Sequence, residues 1–201
     1  MLCLPNPDVP TGHFLSKSQI KYILNLAKKT NTLVLIDEAY YPFHPDTFIS
    51  LIDKYKNLII IRTMSKAWGL AGGRIGFVVS SKKNIAEMHK IKPMYEINNI
   101  AANILNNLIQ NKKFVNGSVK RLLEGKNYFK KKLEEYGFEV LQKQGGNFLH
   151  VNFKKKQNKI LKSLEKKAYF KIEKHACLKG FVRFSLANKK KFETLLKIIK
   201  K

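Results

Sequence analysis

Two uninterrupted apolar runs, Leu33-Val34-Leu35-Ile36 and Leu58-Ile59-Ile60-Ile61, each stop abruptly at polar residues, Asp37-Glu38 and Arg62-Thr63. A strand with one wet face alternates apolar and polar residues. A run that is apolar at every position must be covered on both faces, which is the situation of a strand inside a parallel sheet. Parallel neighbours require helical crossovers, so these runs point to an α/β sheet covered by helices, with Ile75–Val79 as a third strand. The preceding residues agree. Leu2–Leu4 reads as a short strand entering a loop dense in turn residues, Pro5-Asn6-Pro7-Asp8-Val9-Pro10-Thr11-Gly12. Ser16 followed three residues later by Gln19 is a capping box, and Ile20, Ile23, Leu24 and Ala27 recur at helical spacing, predicting a helix of about four turns. In such sheets chemistry gathers at the carboxyl ends of the strands, where Asp37 and the Thr63–Lys66 segment fall.

The second half has a different organisation. Helices are expected from about Asn98 to Asn111 and from Ser118 to Tyr136, the latter closed by Gly137. Phe138–Leu141, Phe148–Val151 and Phe181–Ser185 read as strands, residues 157–167 as a helix, and Asn188 opens a final helix. This is a smaller, antiparallel α+β unit, and the expected domains are 1–115 and 116–201.

With 201 residues, 44% of them hydrophobic, the chain can bury a core. Its 39 Lys and Arg against 14 Asp and Glu give +25, a field that would attract nucleic acid. The excess is nearly all lysine, dispersed over tips such as Lys154-Lys155-Lys156 and Lys189-Lys190-Lys191, without the clustered arginines of base readout or neighbouring aromatic platforms. Solvated lysine-rich faces therefore account for the charge, and a nucleic-acid partner is not expected. No apolar stretch approaches the roughly 18 residues of a membrane helix, and the N-terminus lacks the pattern of an export signal, so a cytoplasmic protein with no membrane partner is expected. Cys3 and Cys177 have no metal-ligand spacing; they read as small packing residues, with no metal site.

The chemistry concentrates in Thr63-Met64-Ser65-Lys66-Ala67-Trp68-Gly69-Leu70-Ala71-Gly72-Gly73-Arg74. A lysine partly shielded from water is available as a nucleophile towards an aldehyde. Hydroxyls, glycine-rich backbone and a forked guanidinium suit a phosphate. The same residues also suit an ordinary surface turn. Asp37, at the end of a buried strand, needs a cation, a metal, a protonated heterocycle or a helix cap as partner.

Taken together, Pro7-Asp8-Val9-Pro10-Thr11-Gly12, Asp37-Glu38-Ala39-Tyr40, Thr63-Met64-Ser65-Lys66 with Arg74, and Phe181-Val182-Arg183-Phe184-Ser185 resemble the class I/II aminotransferases of pyridoxal-phosphate (PLP) fold type I, nearest the histidinol-phosphate aminotransferase branch. The resemblance implies transfer of an amino group between a small-molecule amino donor and a keto acid or phosphorylated ketone, with PLP as cofactor, in a homodimer. Lys66 matches the lysine that bonds the cofactor and then moves the substrate proton. Asp37 matches the partner of the pyridine nitrogen and Tyr40 that of the ring's phenolic oxygen. Thr63, Ser65 and Arg74 match phosphate-holding groups, and Arg183 the small-domain arginine that binds an anionic group of the substrate.

The resemblance also implies a fold made of the C-terminal part of the PLP-binding large domain, a mainly parallel sheet with helices, followed by a small α+β C-terminal domain. Two departures accompany it. Val9 stands where many members have an asparagine that reaches the phenolic oxygen, and the earlier strands of the large domain have no counterpart here. The expectation is an exposed apolar sheet edge and weak stability for the chain alone. A PLP-dependent decarboxylase of a phosphorylated amino acid and a non-catalytic basic binding module are the alternative functions.

Overall fold

The computed structural model describes residues 1–142 and 145–200, and the chain divides into two compact units, Met1–Val115 and Asn116–Lys201. The first unit is built on a four-stranded sheet, β1 (Leu2–Pro5), β2 (Val34–Asp37), β3 (Leu58–Thr63) and β4 (Gly76–Ser80), in that spatial order. The first three strands are parallel and in register, so that Pro5, Asp37 and Ile61 stand side by side at the carboxyl edge. Helix α1 (Lys17–Lys29) begins with the expected capping box: Ser16 Oγ accepts from the Gln19 N–H at 3.3 Å, and Gln19 Oε1 accepts from the Ser16 N–H at 2.8 Å. Its buried face, Ile20, Leu24 and Ala27, packs on Val34, Ile36, Leu58 and Ile60, the residues of one parity along β2 and β3. Burying a leucine or isoleucine fully stabilises a fold by roughly 1.5–3 kcal/mol, so this seam fixes which face of the sheet is covered.

The strand after the lysine segment runs opposite to its neighbour. Thr63 pairs with Gly76 and Ile59 with Ser80, so β4 returns antiparallel along β3 through the loop of residues 64–75, and no crossover helix intervenes. A Cβ on Gly76 would lie 2.8 Å from the Arg62 carbonyl oxygen, so only glycine fits where the loop rejoins the sheet. Phe77 and Val78 on this edge strand are exposed, as is Ile100 in α3 (Asn99–Gln110). Helix α2 (Lys82–His89) follows β4, its first turn capped by Ser81.

Helix α4 (Lys112–Glu135) starts six positions before the expected Ser118, because Val115 and Val119, one turn apart and both buried, anchor its first turns. In the second unit β5 (Glu139–Val140), β6 (Phe148–Asn152), β7 (Phe170–Ile172) and β8 (Val182–Ser185) form an antiparallel sheet in the order β5-β6-β8-β7. Helices α4, α5 (Gln157–Leu164) and α6 (Lys189–Ile199) supply Phe129, Leu133, Ile160, Leu164, Phe192 and Leu196 to a core completed by Leu149, Val151 and Phe184. Phe129 stacks on Phe192, with ring centres 4.1 Å apart, and meets Phe184 edge-on at 5.9 Å. A Cβ on Gly125 of α4 would sit 2.0 Å from the Ala187 carbonyl oxygen, so the helix backbone is in direct contact with the chain leading into α6. Strand β7 was not anticipated from the sequence.

Cys3 and Cys177 are free and exposed, which corrects the expectation that they pack inside; Cys3 lies on the edge strand β1. Among the described residues no helix is long and apolar enough to cross a membrane.

Candidate active site

The carboxyl edge of the first sheet collects five of the six residues singled out in the first unit onto two connected stretches, and the sixth follows from the antiparallel return. Asp37 closes β2, and the chain bends at once. Its Oδ1 accepts from the Ala39 N–H at 2.9 Å, while no hydrogen bond reaches the other carboxylate oxygen among the described residues. The helix-cap alternative for Asp37 is thus realised as a local turn by one oxygen only. Tyr40 is buried in that bend, and the Lys66 ammonium lies 5.4 Å from the centre of its ring. The segments after β2 and β3 therefore meet at Tyr40 and Lys66. Lys66 itself is exposed, so the partial shielding expected for a nucleophilic lysine is not provided by the described residues.

The loop of residues 64–75 is shaped by its own hydrogen bonds. The Thr63 hydroxyl accepts from the Ser65 N–H at 3.0 Å and donates to the Ile75 carbonyl at 3.4 Å, which ties the two ends of the loop together. The Met64 N–H adds a bond to the same carbonyl at 2.9 Å, and the Leu70 N–H bonds the Met64 carbonyl at 3.0 Å. The Ser65 hydroxyl remains without a hydrogen bond among the described residues. Arg74 adopts left-handed backbone angles, φ 52° and ψ 43°, and is exposed with one bond from its guanidinium to the Ala71 carbonyl at 3.4 Å. Its return beside Thr63 is a consequence of the antiparallel pairing of β3 and β4, which brings a residue eight positions after Lys66 back to the same edge.

A buried network that no sequence motif marks holds this edge. Glu38, only 1% exposed, accepts from Arg62 Nη2 at 2.8 Å and Nε at 3.0 Å, from the Thr47 hydroxyl at 2.8 Å and from the Phe48 N–H at 2.7 Å. The Arg62 guanidinium also sits 3.6 Å from the centre of the Tyr41 ring. Glu38 follows Asp37, Arg62 precedes Thr63, and Tyr41 follows Tyr40, so one ion pair with the ring stacked on it clamps the backbone next to three of the candidate residues. Asn6 supports the same edge from β1's side. It is buried, its N–H donates to the Asp37 carbonyl at 2.9 Å, its Oδ1 accepts from the Leu15 N–H at 2.6 Å, and its Nδ2 has no partner among the described residues. A cavity of about 750 Å³ opens at the opposite edge of the sheet, lined by Leu33, Asn57, Ser80 and several lysines, and contains none of these groups.

Arg183 belongs to the second unit. It lies on β8 between His150 of β6 and Lys171 of β7 in cross-strand register, with its guanidinium 5.4 Å from the centre of the Phe148 ring. The buried Glu173 stands 3.5 Å from Arg183 Nε, 3.5 Å from His150 Nε2 and 3.3 Å from Lys171 Nζ. Burial pushes the Glu173 carboxyl up, but Lys171, Arg183 and His150 outweigh it and hold the group below the usual carboxylate value. Burial lowers the His150 pKa, more than Glu173 raises it.

The carboxyl end of this mostly parallel sheet thus brings together an exposed amine over a buried phenol, a carboxylate with one oxygen bonded to the backbone, a hydroxyl and an exposed guanidinium. The sequence pattern of the aminotransferase class I and II family matches residues 1–199, and the chain belongs to that family. It is 32% identical over 198 residues to the histidinol-phosphate aminotransferase of Thermotoga neapolitana, covering 96% of this chain and 56% of that protein. The chain thus spans about half the length of the curated relatives it matches. The solved histidinol-phosphate aminotransferase of Clostridium acetobutylicum superposes with a TM-score of 0.86 at 24% identity, over 98% of this chain and 62% of that one. That of Sinorhizobium meliloti, solved with pyridoxal-5'-phosphate, gives 0.79 at 22% identity, over 98% and 56%. The fold is that of the PLP fold type I aminotransferases, of which this chain is a part.

Proposed function

We propose that the chain supplies part of a PLP-dependent aminotransferase that moves an amino group between an amino acid and a keto acid or a phosphorylated ketone. The observation that carries this reading is the meeting of Lys66 with Tyr40 beside Asp37, three residues from two strand ends brought to one edge. When bound, PLP supplies an electron sink that stabilises charge on a substrate carbon that has lost a proton. Lys66 would hold the cofactor through its amine and carry that proton at Nζ. The open carboxylate oxygen of Asp37 would keep the ring nitrogen protonated, and Tyr40 would orient the ring in the absence of an asparagine at Val9. Ser65 and Arg74 have unused donors for the phosphate, with Thr63 setting the turn that presents them. Arg183 would take an anionic group of the substrate. Residues 1–115 correspond in this reading to part of the cofactor-binding domain and 116–201 to the small domain, and a cytoplasmic homodimer belongs to the same reading.

The test is amino transfer from histidinol phosphate to 2-oxoglutarate, read as glutamate formed, with and without added PLP. It is run on the chain alone and with the remaining length of its relatives supplied as a second polypeptide. PLP-dependent glutamate formation abolished by Lys66→Ala supports the reading. Carbon dioxide release from a phosphorylated amino acid without any keto acid would replace it with a decarboxylase, and no reaction in either form would refute it.

A further inference from the structure

The second unit holds two permanent cations on a single buried carboxylate. In the antiparallel pairing of β7 and β8, Lys171 stands directly opposite Arg183, and residues so paired share one face of the sheet with their Cβ atoms about 5 Å apart. That face points away from the core, because Val182 and Phe184, on either side of Arg183, are buried in it. Like charges placed directly opposite destabilise a strand pair. Glu173, two positions after Lys171, relieves this in part: one carboxylate oxygen lies 3.3 Å from Lys171 Nζ and the other 3.5 Å from Arg183 Nε. One carboxylate offsets one cation, and the pair keeps a unit of positive charge. His150, the next residue in the row, is fully buried, and burial lowers its pKa, so above pH 7 it adds no charge and offers a ligand no surface. Donors are left over as well. An ammonium has three N–H groups and a guanidinium five, and the contacts to Glu173 occupy one of each. Neither side chain makes a hydrogen bond elsewhere among the described residues, and with Lys171 52% and Arg183 27% exposed, both are within reach of a ligand from solvent.

We propose that Lys171 is a further substrate-binding residue, taking the same oxyanion as Arg183. This rests on the reading that Arg183 meets the substrate's anionic group, and adds a second cation to it. The guanidinium supplies the planar fork that fixes the orientation of an oxyanion, and the ammonium supplies a mobile point charge beside it. Glu173 holds the two side by side against their mutual repulsion. A counter-ion role for Lys171 does not account for the arrangement, because Arg183 by itself balances Glu173 and a second cation directly opposite it then only adds repulsion. An oxyanion bound across both cations removes that repulsion and uses the spare donors. Lys171 is half-exposed and its charge is screened by water, so its share in binding is that of a well-placed exposed ion pair, about fivefold in affinity.

The experiment titrates the whole chain with inorganic phosphate, and in parallel with formate, at constant ionic strength and slightly alkaline pH. It follows the Arg183 Cζ resonance of isotope-labelled protein, assigned by its loss in Arg183→Lys, and needs neither cofactor nor turnover. Lys171→Gln, a change at a half-exposed position that leaves the core intact, should weaken at least one of the two anions about fivefold, and Lys171→Arg should restore it to within about twofold. Lys174→Gln removes an equal charge nearby from a side chain with no ion pair to Glu173, and should change either affinity by less than about twofold. A loss confined to phosphate supports the proposal with a phosphate ester as the group bound, a loss confined to formate supports it with a carboxylate, and a loss of both supports a site that takes either. Unchanged affinities in Lys171→Gln, or equal losses in Lys171→Gln and Lys174→Gln, would overturn the proposal and leave Arg183 as an anion site. If neither anion moves the Arg183 resonance of the wild type, its substrate role falls together with the proposal, whatever the transfer assay shows.

Discussion

Replacing Glu38 by alanine removes the carboxylate around which the functional edge is built. Glu38 is 1% exposed at its side chain and Arg62 12%, so the guanidinium left behind is largely out of water with its counter-charge gone. Breaking a buried ion pair from one side costs about 3–5 kcal/mol. The Phe48 N–H and the Thr47 hydroxyl, which now donate to Glu38, lose their acceptor as well, and an orphaned buried donor costs about 1–3 kcal/mol. Relaxation shares these costs, and the expected loss for the first unit is about 4 kcal/mol. For a unit of this size, with a urea dependence of about 2 kcal/mol per M, the midpoint falls by about 2 M. Trp68 is the only tryptophan in the chain and packs against Met64, Ile75 and Ala101, so its fluorescence reports unfolding of this unit. Changing both partners to methionine restores much of the loss, because an apolar pair of similar volume does not strand a charge. A midpoint shift below about 0.5 M for Glu38→Ala, or a double variant no better than the single one, would refute the claim that this pair clamps the edge.

Two further outcomes follow from the second unit. Burial, with Lys130 nearby, pushes Lys126 down to about 8, while the unfolded chain keeps it near 10.5. Below pH 8 both states are protonated and the fold carries the full cost of the buried charge; between about 8 and 10.5 the unfolded state binds more protons, so stability rises with pH. At 1.36 kcal/mol per pKa unit, Lys126→Met should stabilise the unit at pH 7 by on the order of 3 kcal/mol and flatten that rise, as read from denaturant midpoints between pH 7 and 9.5; an unchanged pH dependence would contradict it. Gly125→Ala should destabilise the same unit by at least about 2 kcal/mol, since the new Cβ would have to displace the Ala187 carbonyl, and faster amide exchange in β6 and β8 should report it; wild-type exchange rates would contradict it.

Much of the architecture was legible because the decisive residues are local. The apolar runs at 33–36 and 58–61 are buried strands, and the Ser16–Gln19 box starts its helix, because a capping pair and continuous apolar character act within a few residues. The direction of β4 was not legible. An apolar run states that a strand is buried, while direction depends on whether the intervening chain turns back or crosses over, and the Thr63–Ile75 and Met64–Ile75 bonds that close the loop span about a dozen positions. Strand β7 was hidden by its lysine-rich setting; Phe170 alone packs against the core, its ring 6.1 Å from that of Phe184, while Lys171 and Ile172 remain exposed. Within the site, Asp37, Tyr40 and Lys66 stood out by type and position. Glu38 looked like a second strand-end carboxylate, and only the fold shows Arg62, 24 residues on, reaching back to it. Glu173 was invisible for the same reason: nothing near it in sequence announces that Arg183 and His150 lie across the sheet from it.

The central claim is that Lys66 is the residue that engages the cofactor. It is tested most directly by mixing the purified chain with pyridoxal phosphate at a low molar ratio, trapping with borohydride and locating the adduct by mass spectrometry. A label predominantly on Lys66, lost in Lys66→Ala and reduced in Asp37→Ala, is the predicted result. A label spread over the many other lysines with no preference for Lys66 would contradict it.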